Sequence, residues 1–192
     1  MRGRASHVTD LGDGTVLRVG GDPEREARIM EHARARGFAV PAVRELRDGG
    51  MVLDRVDGPT MADELRRRPW QLPRQIRVLA DLHDALHAIA YDGGSLLHFD
   101  LHPENVMLGP GGPVVIDWTN ARGGNPDTDV ALTWLILETS AGLPGRLAAR
   151  MFSVRVGDEA VRRGLAEAAH FRLADVNVTA TEKDRVRRIY GT

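Results

Sequence analysis

The chain has 192 residues, with 26 Lys and Arg against 27 Asp and Glu, a formal net charge of -1, 42% hydrophobic residues and no cysteine. This balance excludes a binder held to nucleic acid by bulk charge, and the missing thiol excludes disulfide scaffolds, cysteine nucleophiles and Cys-type zinc sites. No run approaches the roughly 18 apolar residues of a membrane span, and the polar start MRGRASHVTD lacks a signal-peptide core, so a cytoplasmic protein with no membrane partner is expected.

In chain order, residues 6–19 hold two short β-prone runs around Gly12-Asp13-Gly14, which predicts a hairpin. Asp22-Pro23-Glu24 then opens a helix over EREARIMEHARARG, with Asp22 as N-cap and Gly37 as the stop. Two further strands are expected over residues 38–46 and 51–56, joined at Asp48-Gly49-Gly50. Asp57-Gly58-Pro59 ends the sheet pattern, which divides the chain into an N-terminal lobe, 1–56, and a C-terminal lobe, 57–192.

Thr60 caps a short helix that Pro69 limits, and a longer helix over 75–90 carries Ile76, Leu79, Leu82, Leu86 and Ile89 on one face. His83 and His87 lie four apart on it without the Glu of H-E-x-x-H, so they read as a helix face rather than a zinc site. Arg66-Arg67-Arg68 reads as the solvated end of the short helix. After a stretch of β-like pieces with Gly/Pro turns, residues 130–139, 146–152, 158–170 and 181–190 read as helices, the last capped by Thr181 with Asp184. A few strands with one helix, followed mostly by helices, is an α+β order with two lobes sharing a cleft.

The chemistry concentrates in LLHFDLHPENVMLGPGGPVVIDW, where Asp100 and Asn105 stand five positions apart and Asp117 closes a second hairpin arm. Phosphoryl transfer needs a carboxylate beside the attacking hydroxyl and hard oxygen ligands that hold magnesium against the phosphates. These residue types at this spacing match such a catalytic loop.

On HFDLHPEN and VVIDW the chain resembles the aminoglycoside phosphotransferase family, small-molecule kinases with a protein-kinase-like fold and with choline and homoserine kinase relatives. The resemblance implies Asp100 as catalytic base, Asn105 and Asp117 as Mg2+ ligands, and His98 and His102 as supports of the loop. It also implies that Asp129, in GNPDTDVA, ties the loop to the next helix. Towards the N-terminus RGRASHV resembles the tail of a nucleotide-covering Gly-rich loop, with Gly3 and Ser6. Arg18 in TVLRV then stands at the phosphate-binding basic position, and Glu26 is its acidic partner. In MVLDRVDG the Asp54 carbonyl and Val56 amide would meet the adenine edge. The implied activity is transfer of the γ-phosphoryl group of ATP, or of GTP, to a hydroxyl of a small molecule with Mg2+.

Three departures stand out. The family's strand lysine is Arg18, and the two are not interchangeable. The chain begins inside the Gly-rich loop, so the first strand of the lobe is expected to be absent and an edge strand exposed. Phe99 and Glu104 stand where the family often has glycine, and Glu104 offers a carboxylate to an acceptor cation. Two other readings stay open: a catalytically impaired nucleotide-binding protein, raised by Arg18, and a metal-dependent phosphohydrolase built on His98, Asp100, His102 and Asp117. The five-residue spacing argues against the latter. Asp127, Glu138, Asp158 and Asp175 are available for an anionic acceptor pocket, although acids on helices are usually solvated. The motifs fix neither the acceptor nor an oligomeric state.

Overall fold

Four strands form one antiparallel sheet in the order β1-β2-β4-β3: β1 (His7–Asp10), β2 (Thr15–Val19), β3 (Val43–Arg47) and β4 (Gly50–Asp54). The computed structural model describes residues 7–47, 49–140 and 142–191, so Gly3 and Ser6 lie outside the described residues. Asp13 Oδ1 accepts the Thr15 amide at 3.0 Å, and Gly12 and Gly14 take positive φ, which closes the predicted hairpin. The register sets Arg18 opposite Val8 on one side and Met51 on the other. Strand β1 is an edge exposed at all four positions.

The strand expected from residue 38 starts only at Val43. Pro41 has no N–H to give a ladder, and the chain before it serves other partners. The Phe38 amide closes helix α1 (Pro23–Arg34) by donating to Ala33 O at 3.1 Å, and Ala39 O accepts the Val115 amide at 3.1 Å. Strand β4 ends at Asp54, leaving Arg55 and Val56 beyond the sheet.

Helix α2 (Met61–Arg67) has the predicted cap, with Thr60 Oγ1 accepting the Asp63 amide at 3.0 Å. After a single 3-10 turn at Pro69–Gln71, α3 (Leu72–His87) starts three residues earlier than expected, since Pro73 is well suited to a first turn. Short strands follow: β5 (Ala90–Tyr91), β6 (Gly94–Leu97) and β9 (Arg122–Gly124) form one sheet, and β7 (Val106–Gly109) with β8 (Gly112–Val115) forms a hairpin.

Four helices complete the fold: α4 (Pro126–Ser140), α5 (Gly142–Val156), α6 (Asp158–Ala174) and α7 (Ala180–Tyr190). Helix α4 is apolar nearly all round and lies between α5 and α6, as an internal helix must. The cap of α7 is Thr179, whose Oγ1 accepts the Glu182 amide at 3.2 Å, and not Thr181; Asp184 pairs with Arg187 instead.

One hydrophobic cluster runs from Ile29, Met51 and Leu53 under the sheet to Leu79, Leu86, Trp118 and Phe152 among the helices. The architecture is therefore α+β, a small β-sheet lobe joined to a helical lobe, as the resemblance implies. Among the described residues no helix is long and apolar enough to cross a membrane.

Candidate active site

Strand β6 delivers the chain into residues 98–101, and the β7–β8 hairpin returns it alongside at Ile116 and Asp117. Asn105 joins the two. Its Nδ2 donates to Asp100 O at 2.9 Å and to Asp100 Oδ2 at 3.2 Å, while its own carbonyl accepts the Ile116 amide at 3.0 Å. Asp100, Asn105 and Asp117 are thus contiguous in space, as their spacing predicts.

The Asp100 carboxylate is flanked by His102 Nε2 at 3.5 Å and Arg172 Nη1 at 4.0 Å. Burial pushes its pKa up, but the His102 hydrogen bond and the attraction of the neighbouring basic side chains outweigh this and hold it below the usual carboxylate value. It is ionised at neutral pH, as a proton acceptor must be.

His98 is fully buried; its Nε2 lies 3.1 Å from Ile116 O and its ring meets Trp118 edge-on at 5.1 Å. Asp129, also fully buried, accepts the His98 amide at 3.1 Å and the Phe99 amide at 2.8 Å. It also lies 3.0 Å from His87 Nε2 and 3.6 Å from His83 Nδ1. Burial opposes ionisation of Asp129, but the His87 hydrogen bond and the neighbouring imidazoles keep its pKa well below the usual carboxylate range. The two histidines expected on an ordinary helix face therefore point inward, with ligand atoms within 4.8 Å of Asp129 and of each other. Thr133 Oγ1 donates to Leu101 O at 2.6 Å, so in its 2.9 Å contact with His83 Nε2 it accepts the ring N–H. Burial lowers the His83 pKa to about 3, and that of His98 moves in the same direction.

Arg18 and Glu26 meet as predicted, Nη1 to Oε2, at 2.5 Å, with side-chain exposures of 6% and 1%. Burial raises the Glu26 pKa, Arg18 opposes that, and the Asp117 charge adds to it. The second arm of the guanidinium reaches Asp117 Oδ1 at 2.9 Å and Thr119 Oγ1 at 2.5 Å, and Thr119 donates to the same Oδ1 at 2.7 Å. Asp117 takes a positive φ of 61°, a left-handed conformation that these contacts hold in place. Arg25 adds a second tie from α1 by donating to the carbonyls of Thr119 and Ala121. Neither Thr119 nor Arg25 was marked by a motif.

Phe99 also has a positive φ, of 62°, where a glycine would be unstrained. Its amide is held by Asp129, and its ring lies 3.7 Å under the Arg122 guanidinium and edge-on to Phe171 at 4.9 Å. Glu104 is not free for an acceptor cation, because Arg66 takes its carboxylate and holds Asp63 at 2.8 Å with its other nitrogen. Arg66 is accordingly a clamp between α2 and the loop, not part of a bare solvated helix end.

Two cavities adjoin these residues. One of about 220 Å³ lies between the sheet and the β7–β8 hairpin, with Asp54, Arg55 and Val56 along one side and Arg18, Glu26 and Asp117 among its lining. The Asp54 carboxylate is engaged in a two-point pair with Arg44, at 2.5 and 2.8 Å. The other, about 540 Å³, opens on the His102 and Arg172 side of Asp100.

The sequence profile of the phosphotransferase enzyme family that includes the aminoglycoside phosphotransferases matches residues 59–173. The chain belongs to this family. The matched segment of this phosphotransferase family member holds Asp100, Asn105, Asp117 and Asp129, while Arg18, Glu26, Asp54 and Val56 precede it. Its fold is that of aminoglycoside phosphotransferase APH(4)-Ia, with a TM-score of 0.72 at 16% identity over 95% of this chain and 86% of that one. A thermostable mutant of the same enzyme, in ternary complex with AMP-PNP and hygromycin B, gives 0.70 at 16% identity over 96% and 91%. The ethanolamine kinase of Plasmodium vivax gives 0.61 at 10% identity over 97% and 81%. A curated protein of Oryza sativa subsp. japonica, named "Putative cyclin-dependent kinase F-2", is 32% identical over 127 residues, 57% of this chain. The chain spans 38% of the length of that relative.

Proposed function

We propose that this phosphotransferase family member transfers the γ-phosphoryl group of ATP, or of GTP, to a hydroxyl group of a small molecule with Mg2+. The observation that carries this reading is the Asn105 bridge, which joins the Asp100 backbone and carboxylate to the strand end that presents Asp117. Asp100, ionised and partly open, accepts the proton of the attacking hydroxyl. His98 and Asp129 hold its loop through the bonds described above, and His102 orients the carboxylate.

With Nδ2 bonded to Asp100, Asn105 retains Oδ1, and Asp117, whose side chain is 38% exposed, retains Oδ2 beside the oxygen bound by Arg18. These are hard oxygen donors of the kind magnesium requires, and they are the residues that would hold it. Magnesium, when bound, neutralises charge on the β- and γ-phosphate oxygens. In this reading a purine would lie in the smaller cavity against Val16, Leu53 and Ile116, with Asp54 and Val56 along its edge and Arg18 towards the phosphates. We place the hinge between the 1–56 and 57–192 lobes at this edge, and the protein in the cytoplasm, where nucleotide is available.

The contact of Arg18 with Asp117 favours a second reading, a nucleotide-binding protein that does not transfer phosphate, because a guanidinium occupies one oxygen of the proposed metal ligand. Label transfer from γ-radiolabelled ATP to a panel of hydroxyl compounds separates the two. In the transferase, Asp100→Ala lowers transfer by about 100-fold or more while nucleotide still binds, and Asp117→Ala weakens magnesium-nucleotide binding itself. Unimpaired turnover in both variants overturns the assignment; nucleotide binding without transfer to any acceptor supports the second reading.

A further inference from the structure

The larger cavity, about 540 Å³, lies beside the Asp100 loop. His102 and Arg172, which flank Asp100, are part of its lining. The remaining walls are chiefly apolar: Leu65 of α2, Leu72 of α3, Ile136 and Leu137 of α4, and Pro144 and Ala148 of α5. Pro69 and Pro144 of this lining are followed and preceded in the chain by Trp70 and Leu143, whose side chains are largely exposed.

Of the acids that could receive a cationic acceptor, all but the exposed Asp158 are already paired. Glu104, the carboxylate on the wall, is taken by Arg66. Asp127 pairs with Arg163 at 2.6 Å, Glu138 with Arg146 at 3.3 Å and Asp175 with Arg172 at 3.9 Å. Arg172 also binds Glu182 at 2.7 Å, and Asp158 is exposed in the first turn of α6. An acceptor carrying several ammonium groups would lose their hydration here and find no unpaired carboxylate on the walls to replace it. A hydroxyl compound with an uncharged apolar body would bury that body against the walls and present its oxygen to Asp100.

We propose that the acceptor is an uncharged alcohol with an apolar body, and not a polycationic sugar. The proposal rests on the phosphotransferase reading. In the step it describes, the alcohol oxygen bonds to the γ-phosphorus as its proton passes to the Asp100 carboxylate. The bond from the γ-phosphorus to the bridging oxygen breaks, and ADP leaves with that electron pair.

The test uses naphthylethanol, a fluorescent alcohol of this class, and kanamycin, a polycationic sugar. Fluorescence titration of the full chain without nucleotide reads the cavity alone. Naphthylethanol should bind saturably, excess kanamycin should not displace it, and Leu65→Glu or Leu72→Glu, each checked for an unchanged melting profile, should weaken binding about tenfold or more. Absent binding, displacement by kanamycin or undiminished affinity in both folded variants overturns the proposal. With ATP and magnesium, label should pass to naphthylethanol and not to kanamycin, and should stop in Asp100→Ala. Label on kanamycin alone refutes the acceptor class while leaving the phosphotransferase reading intact. Naphthylethanol binding in a chain that binds no nucleotide refutes the phosphotransferase reading, and with it the cavity's role as an acceptor site.

Discussion

Arg18 serves three acceptors with one planar group: Glu26 on one arm, Asp117 and Thr119 on the other. A lysine ammonium in its place is a point charge without the fork and cannot satisfy this arrangement. Removing the cation leaves Glu26 buried and uncompensated, a defect that typically costs about 3–5 kcal/mol. Arg18→Met should therefore lower stability by about that amount in urea unfolding, with Arg18→Lys losing less; an unchanged midpoint for Arg18→Met would contradict a buried pair. The pairing of Arg18 with Glu26 was legible because each sits in a recognisable strand or helix segment. Thr119 was not, since a hydroxyl two residues beyond an aspartate carries no pattern of its own. The inward turn of His83 and His87 was hidden for a related reason: their spacing fits any helix face, and only tertiary packing brings Asp129 against them. Burial of His83 sets a pH dependence. His83 has a folded pKa of about 3 against an ordinary 6.5, so the unfolded chain binds the extra proton between those values. Its contribution is complete above about pH 6.5 and is lost as pH falls towards 3, and His98 acts in the same sense. Asp129, held low, adds a further loss only as pH falls below its ordinary 3.8. Melting temperatures should drop between neutral pH and about pH 5, with a shallower slope in His83→Gln; equal slopes would show that His83 is not buried neutral.

Helix ends carried the strongest local signals. Asp22 and Thr60 cap as their side chains dictate, because a short oxygen acceptor placed before a helix satisfies an otherwise orphaned amide. Thr60→Ala should cost about 1 kcal/mol of stability by the same measurement, and a neutral change would mean that the cap bond is not formed in solution. The short strands were harder to read, because Gly94, Gly123 and Gly124 pair through close backbone approach and offer no alternating apolar side chains. Gly164 shows the same physics in a helix. A Cβ there would overlap the Asp127 carbonyl, so this position lets α6 lie directly on the first turn of α4. Gly164→Val should destabilise by about 1–3 kcal/mol. It should also reduce transfer, since the turn it displaces carries Asp129. A variant with wild-type melting would contradict that close packing.

For the molecule as a whole, the two lobes share one core. Phe38, just beyond α1, meets Trp118 edge-on at 5.9 Å, and Arg18 and Arg25 reach from the sheet and α1 to the Asp117–Thr119 segment. The two-lobe α+β order was legible from the succession of strand and helix patterns, and the motif residues Asp100 and Asn105, with the strand end before Asp117, come together in space as their spacing suggested. The charge state of the larger cavity's surroundings was not legible, because it lies in which acids are paired, and partners such as Arg66 with Glu104 and Arg163 with Asp127 stand more than thirty residues apart. A ligand that binds the folded cleft stabilises it by mass action, by about 2.7 kcal/mol at a hundredfold excess over its Kd. For a chain of this size that corresponds to a rise in melting temperature of about 5–10 °C, expected with magnesium and ATP and absent with either alone. The most direct test of the central claim is a calorimetric titration of the chain with ATP, with and without magnesium, beside Asp117→Ala. The account predicts one-to-one binding that requires magnesium and disappears in the variant. Absence of binding, or binding indifferent to both magnesium and Asp117, would contradict it.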